Sequence, residues 1–514
     1  MSFIFPTQPG YSYPKSHSVG NEGQAVAIER RTIVPKHTIA LGLLVFALLW
    51  ICQLWVTSVA PPEDNIEQLV WTTSMEWGYY KHPPLPTWLL WPLVKIFGPH
   101  SVLTFVLAGL TTLGAIAIMW RFLRDLRGPQ YALVALLATV CITYYNRRLD
   151  VYNHDTVLMV IVALSAMLTW KAHQSGQIKW WAMLGLCLGL GALTKYQIAV
   201  TMTCTLAFWL YAGGWKTRAG KNGFAVMCAV ISLIFLPHAI WMVQNEFAPI
   251  RYAMESSLGA NHAMLGRVSG VLHWVAEQLF NRMAPTWLFL LIASLLLKFS
   301  KTSYKANSIR PITAQSTLFA KDSRALLMIW GFLPLVFMPF VGLALGSHLQ
   351  LRWASPFLIF AIPAVFELLR FKLISVRIPF TPIATAFVLT QGLLLTVSFF
   401  ISQADAQSFL PNKVKKIDPV ELAQAIEEQA QNALGGKICL VSGNTELTGG
   451  LAMALKDHPS VLIDGRLDRS PWLTQEKLLN CGTLELTMHS KNADAVLVGQ
   501  QFPGLSWRAI PAQR

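Results

Sequence analysis

The sequence predicts a mainly α-helical protein that crosses a membrane many times and carries a small polar α/β domain at its C-terminal end. Of its 514 residues, 54% are hydrophobic and only 13% are charged, with a mean hydropathy of +0.45, whereas soluble chains carry about 25% charged residues. Hydrophobic segments fill most of the chain and stop before its last fifth. A chain of this kind needs lipid as part of its solvent, so membrane lipids are its first predicted partner.

About eleven segments are candidates for membrane-spanning helices, because a helix that rises 1.5 Å per residue needs about 20 residues to cross the hydrocarbon. They are 38–60, 101–120, 130–145, 156–170, 181–194, 197–213, 223–243, 284–299, 325–346, 354–369 and 380–402. We therefore expect a polar cytoplasmic tail at 1–37 and a transmembrane domain at 38–402.

The distribution of Lys and Arg indicates the orientation of these segments. If the N-terminus is cytoplasmic, most basic residues before residue 403 fall on the cytoplasmic side, as the positive-inside rule requires. Long loops at 61–100 and 244–283 are then periplasmic, and an odd number of crossings also places a domain at 403–514 in the periplasm. The formal charge of +15 is scattered between apolar segments, which indicates topology in a bacterial inner membrane and no nucleic-acid partner.

The first external loop is predicted to hold two helices on the membrane surface. Residues Ile66 to Tyr80 mix apolar and polar side chains, as an interfacial helix does. The sequence His82-Pro83-Pro84 should interrupt it, because proline removes a donor and restricts the residue before it. A second interfacial helix is expected from Leu85 to Phe97.

The C-terminal domain is predicted to be α/β because short apolar runs alternate with helix-like segments. The runs are Ile438–Val441, Val461–Ile463 and Ala495–Val498, and the segments are 419–433, 446–456 and 472–480. Its two cysteines, Cys439 and Cys481, either form a disulfide in an oxidising periplasm or remain two unrelated thiols.

Two external carboxylates are candidates for catalysis. Asp64 follows the first membrane segment, where a carboxylate could accept a proton from an acceptor hydroxyl; the alternative is a solvated loop acid. Asp155 begins the fourth apolar segment after "RRLDVYNH". Its alternative role is that of an acid at a helix N-terminus, where the helix dipole favours it.

Basic residues on the same side are candidates for holding a phosphate. Lys195 interrupts "GLGLGALTKYQIAV", and together with Arg148, Arg251 and Arg352 it supplies the cations that phosphate needs where water is scarce. Snorkelling to the interface would explain each one individually. External histidines and glutamates could also form a divalent cation site, although no spacing singles out a metal.

Five blocks of sequence carry a resemblance to a known family. In chain order they are "DNIEQLVWTTSMEWGYYKHPPLPTWL", "YNHDTVLM", "GLGLGALTKYQIAV", "PHAIWMVQNEFAPIRYAMES" and "RWASPFLIFAIP". Over residues 38–370 the chain resembles the bacterial branch of the dolichyl-phosphate-mannose protein mannosyltransferase superfamily, which includes the lipid A aminoarabinose transferases. The block "GYYKHPPLPTWL" is the most specific of the five.

The resemblance implies a GT-C fold and assigns roles to particular residues. Asp64 matches the essential aspartate that opens the first periplasmic loop, but Asn65 replaces the glutamate that usually follows it. Asp155 matches a second active-site carboxylate. His82 lies where aminoarabinose transferases have a phosphate-contacting lysine. Lys195 matches the lysine of an "LTK" block, and Arg352 falls where many relatives have histidine.

The resulting hypothesis is a hexosyl or pentosyl transferase that moves a sugar from a polyprenyl-phosphate donor to lipid A, lipopolysaccharide, another envelope glycan or a protein. Asp64 acts as the base or orients the acceptor, and Asp155 supports Asp64 or the positive charge that develops on the sugar. His82, Lys195, Arg352 and Arg251 are expected to hold the phosphate. The phosphate of the carrier leaves, so no nucleotide site is needed, and a divalent cation is left as an open alternative. The alternatives are a transporter or flippase of lipid-linked sugars, and an inactive scaffold, which the change at Asn65 keeps open.

Overall fold

The computed structural model describes residues 36–58, 60–257, 263–300, 314–369, 379–407, 417–488 and 494–512. The chain divides into two compact units, Met1–Leu44 and Val45–Arg514. Of the first unit, the structure describes only the beginning of a helix that continues to Thr57. Every site discussed below lies in the second unit.

Seven helices in the described parts of the chain are long and apolar enough to cross a membrane. They are Lys36–Thr57, Ser101–Arg127, His154–Ser175, Arg218–Gln244, Met264–Phe299 with a π-helical turn at Glu277–Arg282, Ala314–Leu345, and Phe380–Gln407. Five shorter apolar helices accompany them, at Leu85–Phe97, Pro129–Thr139, Ile178–Ala192, Ile198–Tyr211 and Leu358–Leu368. The protein is therefore a multi-pass membrane protein that is mainly α-helical.

Each predicted membrane segment falls on one of these helices, but four of the segments fall on short ones. The segment predicted at 130–145 is a helix only over Pro129–Thr139, and a separate 3-10 turn follows at Thr143–Tyr145. Helices of 11 to 15 residues are shorter than the roughly 20 residues of a full crossing. The count of eleven crossings accordingly stays a prediction.

Two helices were predicted in the first external loop, and the structure agrees with the predicted bounds of only the second. The helix predicted to run from Ile66 to Tyr80 begins at Glu63 and ends at Trp71, whereas Leu85–Phe97 has the predicted bounds. The first helix ends at Trp71, and the Thr72 hydroxyl at its C-cap donates to the Leu69 carbonyl at 2.6 Å. Such side-chain hydrogen bonds compete with the helical pattern. We refer to Glu63–Trp71 as the Asp64 helix.

The C-terminal domain is an α/β domain with a five-stranded sheet in the order β2-β1-β3-β5-β4. The strands are β1 Leu440–Gly443, β2 Ser460–Ile463, β3 Thr483–Met488, β4 Val496–Leu497 and β5 Leu505–Ile510, and the helices are Pro419–Leu434, Thr445–Ala454 and Gln475–Asn480. β1 pairs in parallel with β2 and β3, while β5 is antiparallel to β3 and β4.

Two of these strands are absent from the sequence prediction. β1, β2 and β4 correspond to the three apolar runs, but β3 and β5 alternate or mix polar and apolar residues and therefore form no run. In β3, Leu484 and Leu486 point into the core while Glu485 between them binds Arg508 of β5 at 2.6 Å. The cross-strand partner that explains this alternation is 23 residues away in the sequence.

The two cysteines of this domain form a disulfide. Cys439 immediately precedes β1, Cys481 lies shortly before β3, and their Cα atoms are 5.5 Å apart. Because β1 and β3 are neighbours in the sheet, the bond joins two adjacent strands at the same end. Of the two alternatives that the sequence left open, the structure contains the disulfide.

The C-terminal domain shares a hydrophobic core with the Asp64 helix. Ile66 and Val70 of that helix pack with Ala452, Val461 and Ile463 of the domain. The approach is close because the domain presents Gly449. A Cβ atom at Gly449 would lie 2.5 Å from Ile66 Cγ2 and 2.8 Å from Val70 Cγ2. The domain thus helps to fix the position of the helix that carries Asp64.

This contact predicts that Gly449→Ala destabilises the protein, because the added methyl group has no space beside the Asp64 helix. Overpacking of this kind costs about 1–3 kcal/mol, and we expect a lower thermal unfolding midpoint in detergent. Gly436→Ala is the matched control, since nothing lies within 4 Å of a Cβ atom there. Equal midpoints for the two variants would contradict the packing.

Candidate active site

Asp64 is held by two side chains that come from distant parts of the chain. Arg352 donates from Nη1 to both carboxylate oxygens, at 3.2 and 3.0 Å. Asn153 donates from Nδ2 to Oδ2 at 2.8 Å. Asp64 is 17% exposed and Arg352 is 42% exposed. The carboxylate is consequently oriented between a guanidinium that reaches solvent and an amide that does not.

These partners control the charge of Asp64. Burial alone would raise the pKa of its carboxyl group, but Arg352, the amide of Asn153, Arg148 and Lys81 outweigh burial and lower the pKa from 3.8 to about 2. A group whose pKa is lowered in the folded state stabilises the fold above its ordinary pKa. This contribution disappears as the pH falls toward about 2. Asp64 is therefore ionised throughout the physiological range.

Asn153 connects Asp64 to the second carboxylate. It occupies the N-cap of the His154–Ser175 helix, where its Oδ1 accepts hydrogen bonds from the backbone N–H groups of Asp155 and Thr156 at 2.9 and 3.1 Å. Its Nδ2 remains available for Asp64. One side chain thus caps the helix and also orients the carboxylate of Asp64 in front of that helix.

Asp155 forms a buried ion pair with Lys195. The distance from Lys195 Nζ to Asp155 Oδ1 is 2.6 Å, and the two side chains are 10% and 6% exposed. Lys195 lies in the short connection between the Ile178–Ala192 and Ile198–Tyr211 helices. Burial lowers the pKa of Lys195, although Asp155 opposes this shift. The sequence selected Asp155 as a carboxylate and Lys195 as a phosphate-binding cation, and the structure pairs these two residues with each other.

A third ion pair, between Glu67 and Lys81, was not selected as functional from the sequence. Lys81 Nζ lies 2.8 Å from Glu67 Oε1, with side-chain exposures of 14% and 5%. The ammonium also lies 5.4 Å from the ring centroid of Tyr252. The sequence spacing could have indicated Glu67. It follows Asp64 by three positions, and residues three apart lie on one face of a helix.

His82 enters the same region as a neutral side chain. Burial, with contributions from His154 and Lys195, lowers its pKa well below the ordinary value. Its ring centroid lies 4.2 Å from that of His154, and His154 Nε2 lies 3.2 Å from the Pro83 carbonyl oxygen. His82 can offer a hydrogen bond to a phosphate oxygen, but it adds no positive charge at neutral pH.

The backbone that presents Arg352 is fixed by side chains from other helices. Arg352 lies in the 3-10 turn Leu351–Ala354. Tyr144 donates its hydroxyl to the Leu351 carbonyl at 2.5 Å, and the Trp274 indole donates to the Gln350 carbonyl at 3.1 Å. The turn is therefore anchored, while the guanidinium beyond it is partly exposed.

All of these charged groups line one cavity of about 170 Å³. Its wall also includes Gln68, Tyr252, Ser256, Ser257, Gln350 and Trp353. Five of the seven sequence-selected residues, namely Asp64, His82, Asp155, Lys195 and Arg352, meet at this cavity. Arg148 and Arg251 do not line it, and the guanidinium of Arg251 binds the exposed Glu246 at 2.6 Å.

Asn65, the departure from the family pattern, has a structural role. Its side chain is fully buried. Nδ2 donates to Thr104 Oγ1 at 2.8 Å and to the Asp150 carbonyl at 2.7 Å, and Oδ1 accepts from the Tyr152 backbone N–H at 2.8 Å. An ionised glutamate has no N–H to donate. Asn65 therefore stabilises the wall behind Asp64 without facing the cavity.

The arrangement does not fit a divalent cation. Among the residues that the structure describes, no group of three or more His, Cys, Asp or Glu is placed to hold a metal ion. Each carboxylate of the cavity is already paired with Lys or Arg. Metal ligands are instead carboxylates and imidazoles that converge on one point.

The chain matches the family model of dolichyl-phosphate-mannose-protein mannosyltransferases over residues 81–241. This stretch contains His82, Asp155 and Lys195, whereas Asp64 and Arg352 lie outside it. The match confirms the resemblance that the sequence blocks predicted.

Two curated relatives show the same resemblance. The lipopolysaccharide core galacturonosyltransferase RgtA of Rhizobium johnstonii is 22% identical over 312 residues, which cover 58% of this chain and 57% of the relative. The undecaprenyl phosphate-α-4-amino-4-deoxy-L-arabinose arabinosyl transferase of Pseudomonas aeruginosa is 24% identical over 236 residues, 41% of each chain. The chain thus spans about half the length of the curated relatives it matches.

The fold resembles a solved structure over nearly its whole length. The crystal structure of ArnT from Cupriavidus metallidurans, bound to undecaprenyl phosphate, superposes with a TM-score of 0.61 at 12% identity and covers 93% of this chain and 98% of its own. The fold is therefore that of the GT-C membrane glycosyltransferases, as the sequence predicted.

The geometry predicts that Arg352→Gln raises the pKa of Asp64 from its value of about 2, because burial is then opposed by fewer positive charges. The titration is measured by infrared difference spectroscopy of the carboxyl band, with Asp64→Asn as the background. Arg251→Gln is the control, since Arg251 pairs outside the cavity. An unchanged Asp64 titration in Arg352→Gln would show that Arg352 does not hold this carboxylate.

Proposed function

We propose that the protein transfers a sugar from a polyprenyl-phosphate carrier to a lipid acceptor of the lipopolysaccharide type on the periplasmic face of the inner membrane. The observation that carries this proposal is the cavity where Asp64–Arg352, Asp155–Lys195 and Glu67–Lys81 form three acid–cation pairs. The cavity thus offers three cations to a phosphate group, and each cation has a carboxylate beside it.

Arg352 is the cation best placed to exchange its partner. Its bonds to Asp64 are 3.0 and 3.2 Å long and its side chain is 42% exposed. Lys195 is bound more tightly, at 2.6 Å, and is buried. The donor phosphate competes with Asp64 for the guanidinium, because phosphate forms strong bidentate hydrogen bonds with arginine. Donor binding and the release of Asp64 are then one event.

Release of Arg352 makes Asp64 a stronger base. Arg352 is the largest of the influences that lower the pKa of Asp64, and burial acts in the opposite direction. Once the guanidinium turns toward phosphate, burial raises the pKa of the carboxylate. A base is more effective when its pKa approaches the working pH. The cavity therefore activates Asp64 only when the donor is present.

The chemical step uses these residues without a metal ion. The acceptor hydroxyl attacks the anomeric carbon of the donor sugar while Asp64 takes the hydroxyl proton. A new C–O bond forms, and the bond between the anomeric carbon and the phosphate oxygen breaks. The leaving phosphate keeps the electron pair, and Arg352, Lys195 and a hydrogen bond from His82 stabilise its negative charge. Asp155 keeps Lys195 positioned and faces the positive charge that develops on the sugar.

The proposed classes of donor and acceptor are taken from the names of the similar proteins. One is named for an undecaprenyl-phosphate aminoarabinose donor, and two are named for lipopolysaccharide core and lipid A galacturonosyl transfer. The first name therefore supports a polyprenyl-phosphate donor, and the other two support a lipid acceptor of the lipopolysaccharide type. They favour lipid over protein as the acceptor, and the transferred sugar is either a hexose or a pentose.

The proposal predicts that Asp64→Asn abolishes sugar transfer while the protein still inserts and folds. Loss of a general base lowers the rate by about 10²- to 10⁴-fold. The assay uses purified protein in lipid, a panel of labelled polyprenyl-phosphate sugars and membrane acceptors. Asp125→Asn is the matched control, because this exposed residue pairs only with arginines at the end of another helix.

The same assay tests the alternative of a carrier transporter. Equal transfer by the wild type and Asp64→Asn would remove Asp64 from catalysis. Movement of labelled carrier across the membrane without any transfer would instead favour a flippase. An inactive wild type across the whole panel, with carrier still bound, would favour the scaffold.

We further propose eleven crossings, with the N-terminus in the cytoplasm and residues 403–514 in the periplasm. The positive-inside distribution supports this orientation. The Cys439–Cys481 disulfide adds support, because such bonds persist in oxidising compartments. The cavity and the C-terminal domain then lie on the same side, as their shared core requires.

This topology predicts that Cys439 and Cys481 are oxidised in growing cells. Alkylation with a maleimide polymer after denaturation should shift the protein by five thiols, those of the remaining cysteines, and by seven after reduction. In cells that lack periplasmic disulfide formation, seven thiols should react without reduction. Seven reactive thiols in wild-type cells would place the domain in the cytoplasm.

A further inference from the structure

A second and larger cavity, of about 410 Å³, lies where the first membrane helix meets the C-terminal domain. This volume is within the range of small-molecule sites, about 300–1,000 Å³. None of the three ion pairs of the first cavity lines it. It is therefore a separate binding space.

One side of this cavity is apolar and continuous with the membrane helices. Ile51, Leu54 and Trp55 come from the last turns of the Lys36–Thr57 helix, and Phe105 comes from the beginning of Ser101–Arg127. Trp55 is 59% exposed. These side chains belong to two of the helices that carry long apolar stretches. They form a surface suited to an alkyl chain that enters from the lipid.

The lining of this cavity also includes acids and hydroxyls. Asp150, Asp418 and Ser58 line it, and none of the described residues that line it is Lys or Arg. Asp418 already caps the Pro419–Leu434 helix, accepting from Val420 N–H at 2.7 Å. Asp150 makes no salt bridge with any described residue within 4 Å, and burial raises its pKa to about 6, although the charge of Arg148 acts in the opposite direction. Its carboxylate is therefore available to a ligand.

Hydrogen-bond donors lie beside this acid. Ser101 lines the cavity at the start of a 27-residue helix, and His100 before it makes no capping hydrogen bond with its side chain. The first N–H groups of a helix need acceptors, and the helix dipole makes this end positive. The cavity thus presents an acceptor, Asp150, and backbone donors to one occupant.

From these observations we propose that the second cavity binds an amphiphile with one alkyl chain and an uncharged, hydroxyl-rich headgroup such as a glycoside. A hydroxyl group can donate to Asp150 and accept from the helix N–H groups at the same time. A phosphate headgroup has no proton to donate when fully ionised, and it would meet the Asp150 carboxylate in a cavity whose described lining residues include no Lys or Arg. The two cavities therefore select opposite classes of lipid, and this selection is independent of the reaction in the first cavity.

The second cavity adjoins the wall of the first. Asn65 follows Asp64 in the same helix, and its amide donates to the Asp150 carbonyl and to Thr104. The segment that begins with Asp150 continues to Asn153, which holds Asp64. A ligand at Asp150 consequently contacts the backbone that supports the catalytic carboxylate.

The test uses two photoreactive amphiphiles that share one diazirine-bearing alkyl chain and differ only in a glucoside or a phosphate headgroup. The full-length protein is placed in phosphatidylcholine nanodiscs, and labelled peptides are mapped by mass spectrometry. We expect saturable labelling of the peptides that contain Leu54 and Phe105 by the glucoside. Excess unlabelled alkyl glucoside should remove it, and the phosphate probe should label them about tenfold less.

Two variants make the test specific. Val420→Trp places a large ring in the cavity and should abolish the saturable labelling, whereas Gln424→Trp, an exposed position of the same helix outside the lining, should leave it intact. Asp150→Asn keeps the shape, and should weaken glucoside labelling and strengthen phosphate labelling. Equal labelling by both probes in the wild type, or labelling that Val420→Trp does not change, would overturn the proposal.

Discussion

The structure around the cavity depends on one electrostatic constraint, which is that carboxylates removed from water need a cation or a hydrogen-bond donor each. Asp64, Glu67 and Asp155 lie around a single cavity, and Arg352, Lys81 and Lys195 each bind one of them. Removing one member of a buried pair leaves an uncompensated charge, which is strongly destabilising. The charged groups of the cavity are therefore matched pairs. A cation of a pair becomes available to an anionic ligand only when that ligand displaces the paired carboxylate.

The scaffold keeps this set together through a small number of shared side chains. Asn153 caps the helix of Asp155 and binds Asp64, so that one side chain connects the two carboxylates. Asn65 binds the next position of the Asp64 helix to the segment at Asp150. Gly449 allows the C-terminal domain to approach the same helix. The domain is accordingly a structural component of the site, although it lies far from the cavity residues in the sequence.

The two cavities differ in the charges of their linings, and in our proposals this difference separates their ligands. The first contains three cations, each paired with a carboxylate, and is proposed to bind a phosphate, whereas the second is lined by Asp150 and Asp418 without a described Lys or Arg and is proposed to bind hydroxyls. An enzyme of the proposed kind needs such a distinction, because the alkyl chains of its two lipids offer almost no basis for selection. The headgroups carry the chemical difference, and polar groups that are left unpaired in the wrong cavity cost free energy.

The sequence by itself determined the membrane class, the helix at Leu85–Phe97, the α/β character of the C-terminal domain and five residues of the cavity. These features are encoded locally, in hydrophobic runs, in proline positions and in family blocks. Tertiary structure alone decided the pairing, because Asp64 and Arg352 are 288 residues apart and Asp155 and Lys195 are 40 apart. It also excluded Arg251 from the cavity, added Glu67 and Lys81, and placed β3 beside β5. Pairing is a property of distance in space, and the periodicity of a single segment carries no information about it.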